Sequence, residues 1–227
     1  MSIHFNRLIM IALILLFPGI IFSQYVETLY LRSGEKFNVT KNKKTNSIHR
    51  AYGKFGNFYS KTNSERGLLN EKNIQSLSKE FLKQYTEILK IKSDELNFIR
   101  VDTGNGCHYI KLQQVYNNIP IYRSSVGFTI EKDGEVYLIG TDVHPEIKIS
   151  TIPALSKEKA LEIANSDFLI NQEKIGEMNI HKNNLIIFPK ENEKTIDYYL
   201  AYHIILESVN LPQKTGYFIN ADNGKLI

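Results

Sequence analysis

Residues 109–140 read YIKLQQVYNNIPIYRSSVGFTIEKDGEVYLIG. Ile110, Leu112 and Tyr116 alternate with more polar residues, and Val126, Phe128 and Ile130 do the same. Alternation with a period of two puts one side chain in two on the same face, which is the mark of a half-buried strand. Val136 to Ile139 is a shorter apolar run. Asn117-Asn118 separates the first two strands, and asparagine tolerates the positive φ of a tight turn. Asp133-Gly134 separates the next pair. The stretch therefore predicts an antiparallel meander, with an earlier strand near 96–101.

Outward from the meander the chain reads as one plan used twice. Upstream, Ile74, Leu77, Phe81, Tyr85, Ile88 and Leu89 recur every three or four residues. That spacing predicts one apolar helix face over 70–90, with Asn70 as its N-cap. Downstream, Pro153 breaks the chain and Ser156 can cap a second helix, 156–170, with Ala160, Ala164 and Phe168 on one face. Strands follow at 184–188, at Ile196 to Leu206 with unbroken alternation, and at 217–220. The last leads into Asn223-Gly224, a type I′ hairpin signal. The expected fold class is α+β: two cystatin-like units, each a helix packed on an antiparallel sheet.

Met1 to Arg7 carries one cation, and LIMIALILLF, Pro18-Gly19 and IIFSQ follow. This is the layout of a secretory signal peptide over 1–23, cleaved after Ser23. The apolar run is short for a membrane span. Residues 24–69 are polar and form an N-terminal extension in which TLYLRSG and AYGKFGNFYS can hold short strands. With 28 Lys+Arg and 24 Asp+Glu the chain carries +4, and removing Arg7 leaves 27 against 24, or +3. The basic residues are scattered apart from Lys41, Lys43 and Lys44, so no nucleic-acid partner is expected. Cys107 is the single cysteine. An exported chain with one thiol has no internal disulfide and depends on a packed core.

No catalytic, cofactor-binding or metal-binding residue is assigned. The six histidines start no H-E-x-x-H. The nearest look-alike, His203-Ile-Ile-Leu-Glu207, lies on a strand, where four residues span about 13 Å, too far for two ligands of one ion. His203 is expected on the sheet face opposite Tyr202 and Ile204. His181, among Lys and Asn, reads as loop. Cys107 and His108 are adjacent on a strand and point to opposite faces, which excludes an unaided thiol–imidazole dyad. Gly104-Asn105-Gly106 is followed by no helix and reads as a turn rather than a phosphate cradle. Ser124-Ser125 has no G-x-S-x-G elbow around it. Glu191 and Glu193 sit in a Lys/Asn-rich loop and read as solvated.

The stretch from Tyr109 resembles the fungalysin/thermolysin propeptide domain. The corresponding features are Gln114-Val115-Tyr116, the turn Asn117-Asn118, the triplet Ile119-Pro120-Ile121, and the acidic-Gly turn Asp133-Gly134. The chain departs from the family pattern at Asn118, where Gly is usual. It departs again at Tyr109, often His, and at Arg123, often Gly. The second half is similar to a PepSY domain: LSKEKALEIANSDF to its first helix, LIIFPK and YYLAYHIIL to its central strands, and 216–224 to its closing hairpin. The implied domains are 70–150, propeptide-like, and 151–227, PepSY-like.

In secreted zinc proteases of the thermolysin type this pair precedes the catalytic domain. The resemblance therefore implies a secreted or periplasmic module without its own cofactor. It would inhibit and help fold a thermolysin-type metallopeptidase catalytic domain, in cis or in trans, with no membrane contact after signal cleavage. The zinc-binding helix is expected beyond Ile227. The alternatives are an exported non-catalytic binding protein with an unrelated partner, or the N-terminal fragment of a complete secreted metallopeptidase.

Overall fold

The computed structural model describes residues 26–30, 34–65, 71–170, 178–209 and 214–227. The expected signal peptide over 1–23 and the expected cap at Asn70 lie outside the described residues. In chain order the elements begin with β1 (Val26–Tyr30), β2 (Lys36–Lys41), β3 (Ile48–Gly53), α1 (Phe58–Lys61), α2 (Glu71–Lys83) and α3 (Thr86–Leu89). A 3-10 turn (Ser93–Glu95), β4 (Leu96–Gly104), β5 (Cys107–Tyr116), β6 (Ile119–Ile130) and β7 (Leu138–Asp142) follow. The chain then forms α4 (Lys157–Ile170), β8 (Met178–Glu191), β9 (Ile196–Ser208) and β10 (Lys214–Asn220).

The expected pair of cystatin-like units is overturned. The strands form one ten-stranded mixed sheet in the order β1-β2-β3-β7-β6-β8-β9-β10, with β5 and β4 branching from β6. About half of the described residues are strand and 19% are helix, so the fold is mostly β rather than α+β with one helix per unit. The physical reason lies in β6. Its residues 125–128 pair antiparallel with β7. Four residues earlier, Ile121 pairs parallel with Ile187 of β8. One strand therefore hydrogen-bonds into both parts of the chain, and two closed units cannot form.

The helices are set by the apolar spacing of the sequence. Ile74, Phe81, Tyr85 and Leu89 are buried, although the helix expected over 70–90 breaks at Gln84–Tyr85 into α2 and α3. Residues before 66 complete this core. Phe37 of β2 stacks on Phe55 at 4.5 Å, and Phe55 meets Tyr85 edge-on at 5.0 Å. Phe58 and Phe128 each lie 5.3 Å from Phe81. The Tyr85 hydroxyl donates to the Phe55 carbonyl. Such ring pairs add to the burial term by ~0.5–1.5 kcal/mol each. Helix α4 is capped by Ser156, whose hydroxyl oxygen accepts from the Lys159 N–H at 3.1 Å. Its Ala160, Ala164 and Phe168 pack on Leu200, Tyr202, Ile204 and Ile219. A third small cluster, Ile121, Ile147 and Ile187, seals the contact between β6 and β8.

Local turn chemistry follows the sequence with one change. Asn117 and Asn118 take φ of 49° and 63°, and Asn105 and Gly106 take 53° and 79°, so both hairpins turn through two left-handed residues. At the last hairpin only Gly224 has positive φ, 73°. The turn there is not type I′ over 223–224. Asn220 Oδ1 accepts from the N–H groups of Asp222 and Asn223. The Gly224 N–H returns to the Asn220 carbonyl. An Asx-type turn closed by a left-handed glycine replaces the two-residue form.

Candidate functional site

The place where β6 changes partners is built by two adjacent glutamines. Between the pairs Gln113↔Ser125 and Val115↔Pro120, β5 advances two residues and β6 advances five. The β6 backbone over 121–124 therefore leaves the β5 ladder, and its polar groups need other partners. Arg123, at the crest, has φ +58°. The Gln113 Nε2 group donates to the carbonyls of Ile121 (2.7 Å) and Ser124. Gln114 is 2% exposed. Its Oε1 accepts from the Ser124 hydroxyl at 2.6 Å and from the His144 N–H at 2.8 Å, and its Nε2 donates to the His144 carbonyl at 2.9 Å. Nδ1 of His144 and the Tyr198 hydroxyl are 2.9 Å apart. This run of contacts joins β5, β6, the connection after β7, and β9. Burial lowers the His144 pKa, against the opposing carboxylates of Glu191 and Asp142.

A cleft of about 470 Å³ opens over this joint. Tyr122 and Arg123 form one wall, Phe188 to Glu191 another, and Asn42 and Thr45 of the β2–β3 turn close an end. Its two carboxylates are engaged: Asp142 meets His49 Nδ1 at 2.7 Å, and Glu191 meets Lys44 Nζ at 2.7 Å. Lys44 and Glu191 thereby tie the N-terminal strands to β8. The floor continues as an aromatic strip on the sheet face opposite the residues that α4 covers. Phe218 lies 4.3 Å from Phe188, 4.8 Å from Tyr122 and 4.7 Å from His203, ring centre to ring centre. The guanidinium of Arg123 sits 5.3 Å from the centre of the Tyr122 ring. Nδ1 of His203 is buried without a hydrogen-bond partner. Burial, then Lys182, lowers the pKa of that histidine.

The residues weighed from sequence fall in different places. His203 lies on β9, on the face opposite Tyr202 and Ile204, and Glu207 beyond it pairs with Lys214 at 3.3 Å. His181 stands in β8 at a register shift rather than in a loop. Cys107 is buried and its thiol donates to Glu131 at 3.3 Å; burial, then that carboxylate, pushes its pKa up. His108 instead contacts Thr103. Glu191 ends β8 rather than lying in a loop; it is ion-paired yet solvated, and Glu193 in the turn that follows is solvated too. Among the described residues no group of three or more His, Cys, Asp or Glu could hold a metal ion, and no helix is long and apolar enough to cross a membrane. Sequence reasoning passed over Gln113, His144 and the aromatic strip. Tyr122, Phe188 and Phe218 lie on β6, β8 and β10, far apart in sequence, and no local pattern brings them together.

Residues 94–143 match the Fungalysin/Thermolysin Propeptide Motif, a span that runs from the 3-10 turn through β7 and contains both glutamines. This is a propeptide motif and not a catalytic one. The chain is similar to Neutral protease B of Bacillus subtilis (strain 168), with 31% identity over 155 residues, covering 65% of this chain and 28% of that protein. It is also similar to Bacillolysin of Bacillus cereus, with 26% identity over 133 residues, covering 57% and 22%. The chain thus spans less than a third of the length of these relatives. Among solved structures, a protein from Eubacterium rectale ATCC 33656 described as uncharacterized aligns with a TM-score of 0.50 at 10% identity, over 91% of this chain and 77% of that one.

Proposed function

We propose that this chain is a secreted propeptide-like module that binds the catalytic domain of a thermolysin-type zinc metallopeptidase, blocks its cleft and assists its folding. The observation that carries the reading is the coincidence of the propeptide motif at 94–143 with the strand-switching joint. The matched residues include the glutamines, the Asn117-Asn118 turn and the kinked β6 that hold the two parts of the chain in one sheet. The similarity to two bacterial proteases supports the same reading.

The module acts by binding, and its own groups perform no bond-breaking step. A rigid surface that occupies a protease cleft without presenting a peptide bond in a reactive pose excludes substrate. It also favours the folded form of the enzyme by mass action. Strand β4 pairs only with β5 among the described residues, and an edge of this kind can add an extended segment of a partner. Within this reading, 70–150 is the propeptide-like part and 151–227 the PepSY-like part, and because β6 pairs into both they would meet the enzyme as one surface.

The test is to titrate a thermolysin-type protease of the same organism with residues 24–227 in trans, and to follow peptide hydrolysis and refolding yield. Inhibition at micromolar concentration with a raised yield is expected. A chain that does neither would leave an unrelated partner as the reading.

A further inference from the structure

We infer that the cleft over the joint recognises a carboxylate-bearing extended segment of a partner protein. Arg123 and Lys190 would hold the acid, and the Tyr122–Phe188–Phe218 strip would take the apolar side chain next to it. Arg123 carries the argument first. Its φ of +58° belongs to the region that glycine occupies without strain. A long side chain kept there at an energetic disadvantage is a feature of ligand clamps. The ring of Tyr122 beneath the guanidinium orients it, and a flat, oriented guanidinium is suited to bidentate contact with a carboxylate.

The charges select the ligand class. Both carboxylates of the cleft already have partners, in His49 and Lys44. Arg123 and Lys190 are exposed and have no carboxylate partner among the described residues. The site therefore holds two cations without a counter-charge. The fixed carboxylates of Asp142 and Glu191 disfavour a polyanion such as a nucleic acid, which would bring several charges against them. The floor completes the match. Tyr122, Phe188 and Phe218 are only half-buried. His203 beneath them is 7% exposed with its Nδ1 unsatisfied, the environment of an aromatic surface that a partner covers.

The inference does not depend on the partner being a protease, and its test uses none. Isotope-labelled 24–227 is titrated at low salt with acetyl-Gly-Asp-Phe-Gly-amide, with its Asp→Asn counterpart, and with oligothymidylate, while amide shifts are followed. The Asp peptide is expected to move the amides of 122–124 and 188–190 and to bind about fivefold or more tightly than the Asn peptide. Arg123→Gly suits the local backbone, so it is expected to melt no lower than the parent while abolishing that preference. Lys190→Gln, on an exposed side chain, is expected to reduce it. Equal binding of the two peptides, no binding at millimolar concentration, an unchanged preference in both variants, or tighter binding of oligothymidylate at these residues would each overturn the assignment. The protease titration above can fail while these arms succeed, and the reverse.

Discussion

The side chain of Gln114 pairs with the peptide unit of His144 as a neighbouring strand would, accepting from its N–H at 2.8 Å and donating to its carbonyl at 2.9 Å. The Ser124 hydroxyl fills the remaining acceptor site of the same oxygen. One buried amide thus satisfies the backbone on the far side of a strand kink.

Gln114→Leu keeps the volume and strands three polar groups. An unsatisfied buried donor or acceptor costs ~1–3 kcal/mol, and the three share some relaxation. The expected loss is about 2–4 kcal/mol, read as a lower midpoint in urea denaturation. A midpoint within error of the parent would show that the clamp contributes nothing.

The Asn117-Asn118 turn demands left-handed backbone at both positions. Asn118→Gly is expected to be neutral or slightly stabilising. Asn118→Val places a β-branched residue at φ +63° and is expected to cost about 1–2 kcal/mol. Thermal melts of the two variants should fall on opposite sides of the parent or leave only the valine variant displaced.

Acid should weaken the fold in a defined window. His144 and His203 both have folded pKa values below the ordinary 6.5. Near and below that value the unfolded chain binds more protons than the folded one, so stability is full above pH 6.5 and falls as pH drops through it. Each histidine steepens the decline by at most about 1.4 kcal/mol per pH unit. His203→Phe retains the ring contacts and removes one titrating group and its orphan nitrogen. It is expected to raise stability at pH 6 and to flatten the curve between pH 7 and 5. An unchanged slope in the variant would remove His203 from the account.

Much of this was legible locally. The turns at 105–106, 117–118 and 133–134 and the two long helices follow from turn chemistry and apolar spacing, which act over a few residues. The single sheet was not legible. Pro120 interrupts β6 in sequence, so 117–121 reads as turn and triplet, and the αL backbone of Arg123 that lets the twelve-residue strand continue past it carries no local signal. Strand β8 begins at Met178, well before the apolar run at 184–188, because its first residues are held by β9 and not by their own hydrophobicity. The segment 24–69 looks polar by composition, yet Phe37, Phe55 and Phe58 inside it are buried to 1% exposure or less. A few large aromatic residues decide burial where the average does not. The candidate cleft was hidden for a related reason: its walls come from β2–β3, β6 and β8, which only the tertiary fold brings together.

The N-terminal strands should therefore be inseparable from the first core. A chain of residues 66–227 would leave Phe81, Tyr85 and Ile139 facing water. It is expected to lose cooperative unfolding, as seen in the near-ultraviolet dichroism of its tyrosines. Tyr85→Phe in the whole chain deprives the Phe55 carbonyl of its donor, with an expected cost of about 1–2 kcal/mol. A truncated chain with a sharp melting transition would separate the two parts after all.

Strand β3 finds its second partner late. Ala51 pairs with Ile139, a separation of 88 residues (139 − 51). A chain emerging from its N-terminus cannot dock β1–β3 until Asp142 has followed them. Until then Phe37, Val39 and Ala51 have only the aromatic residues up to Tyr85 to cover them, without Phe128 and Ile139. Closing so long a loop is slow, on the millisecond-to-second scale of β proteins rich in distant contacts. Through that interval β1–β3 stand outside the finished sheet, with one edge of β3 unpaired. This is the state in which two copies most readily stick to each other.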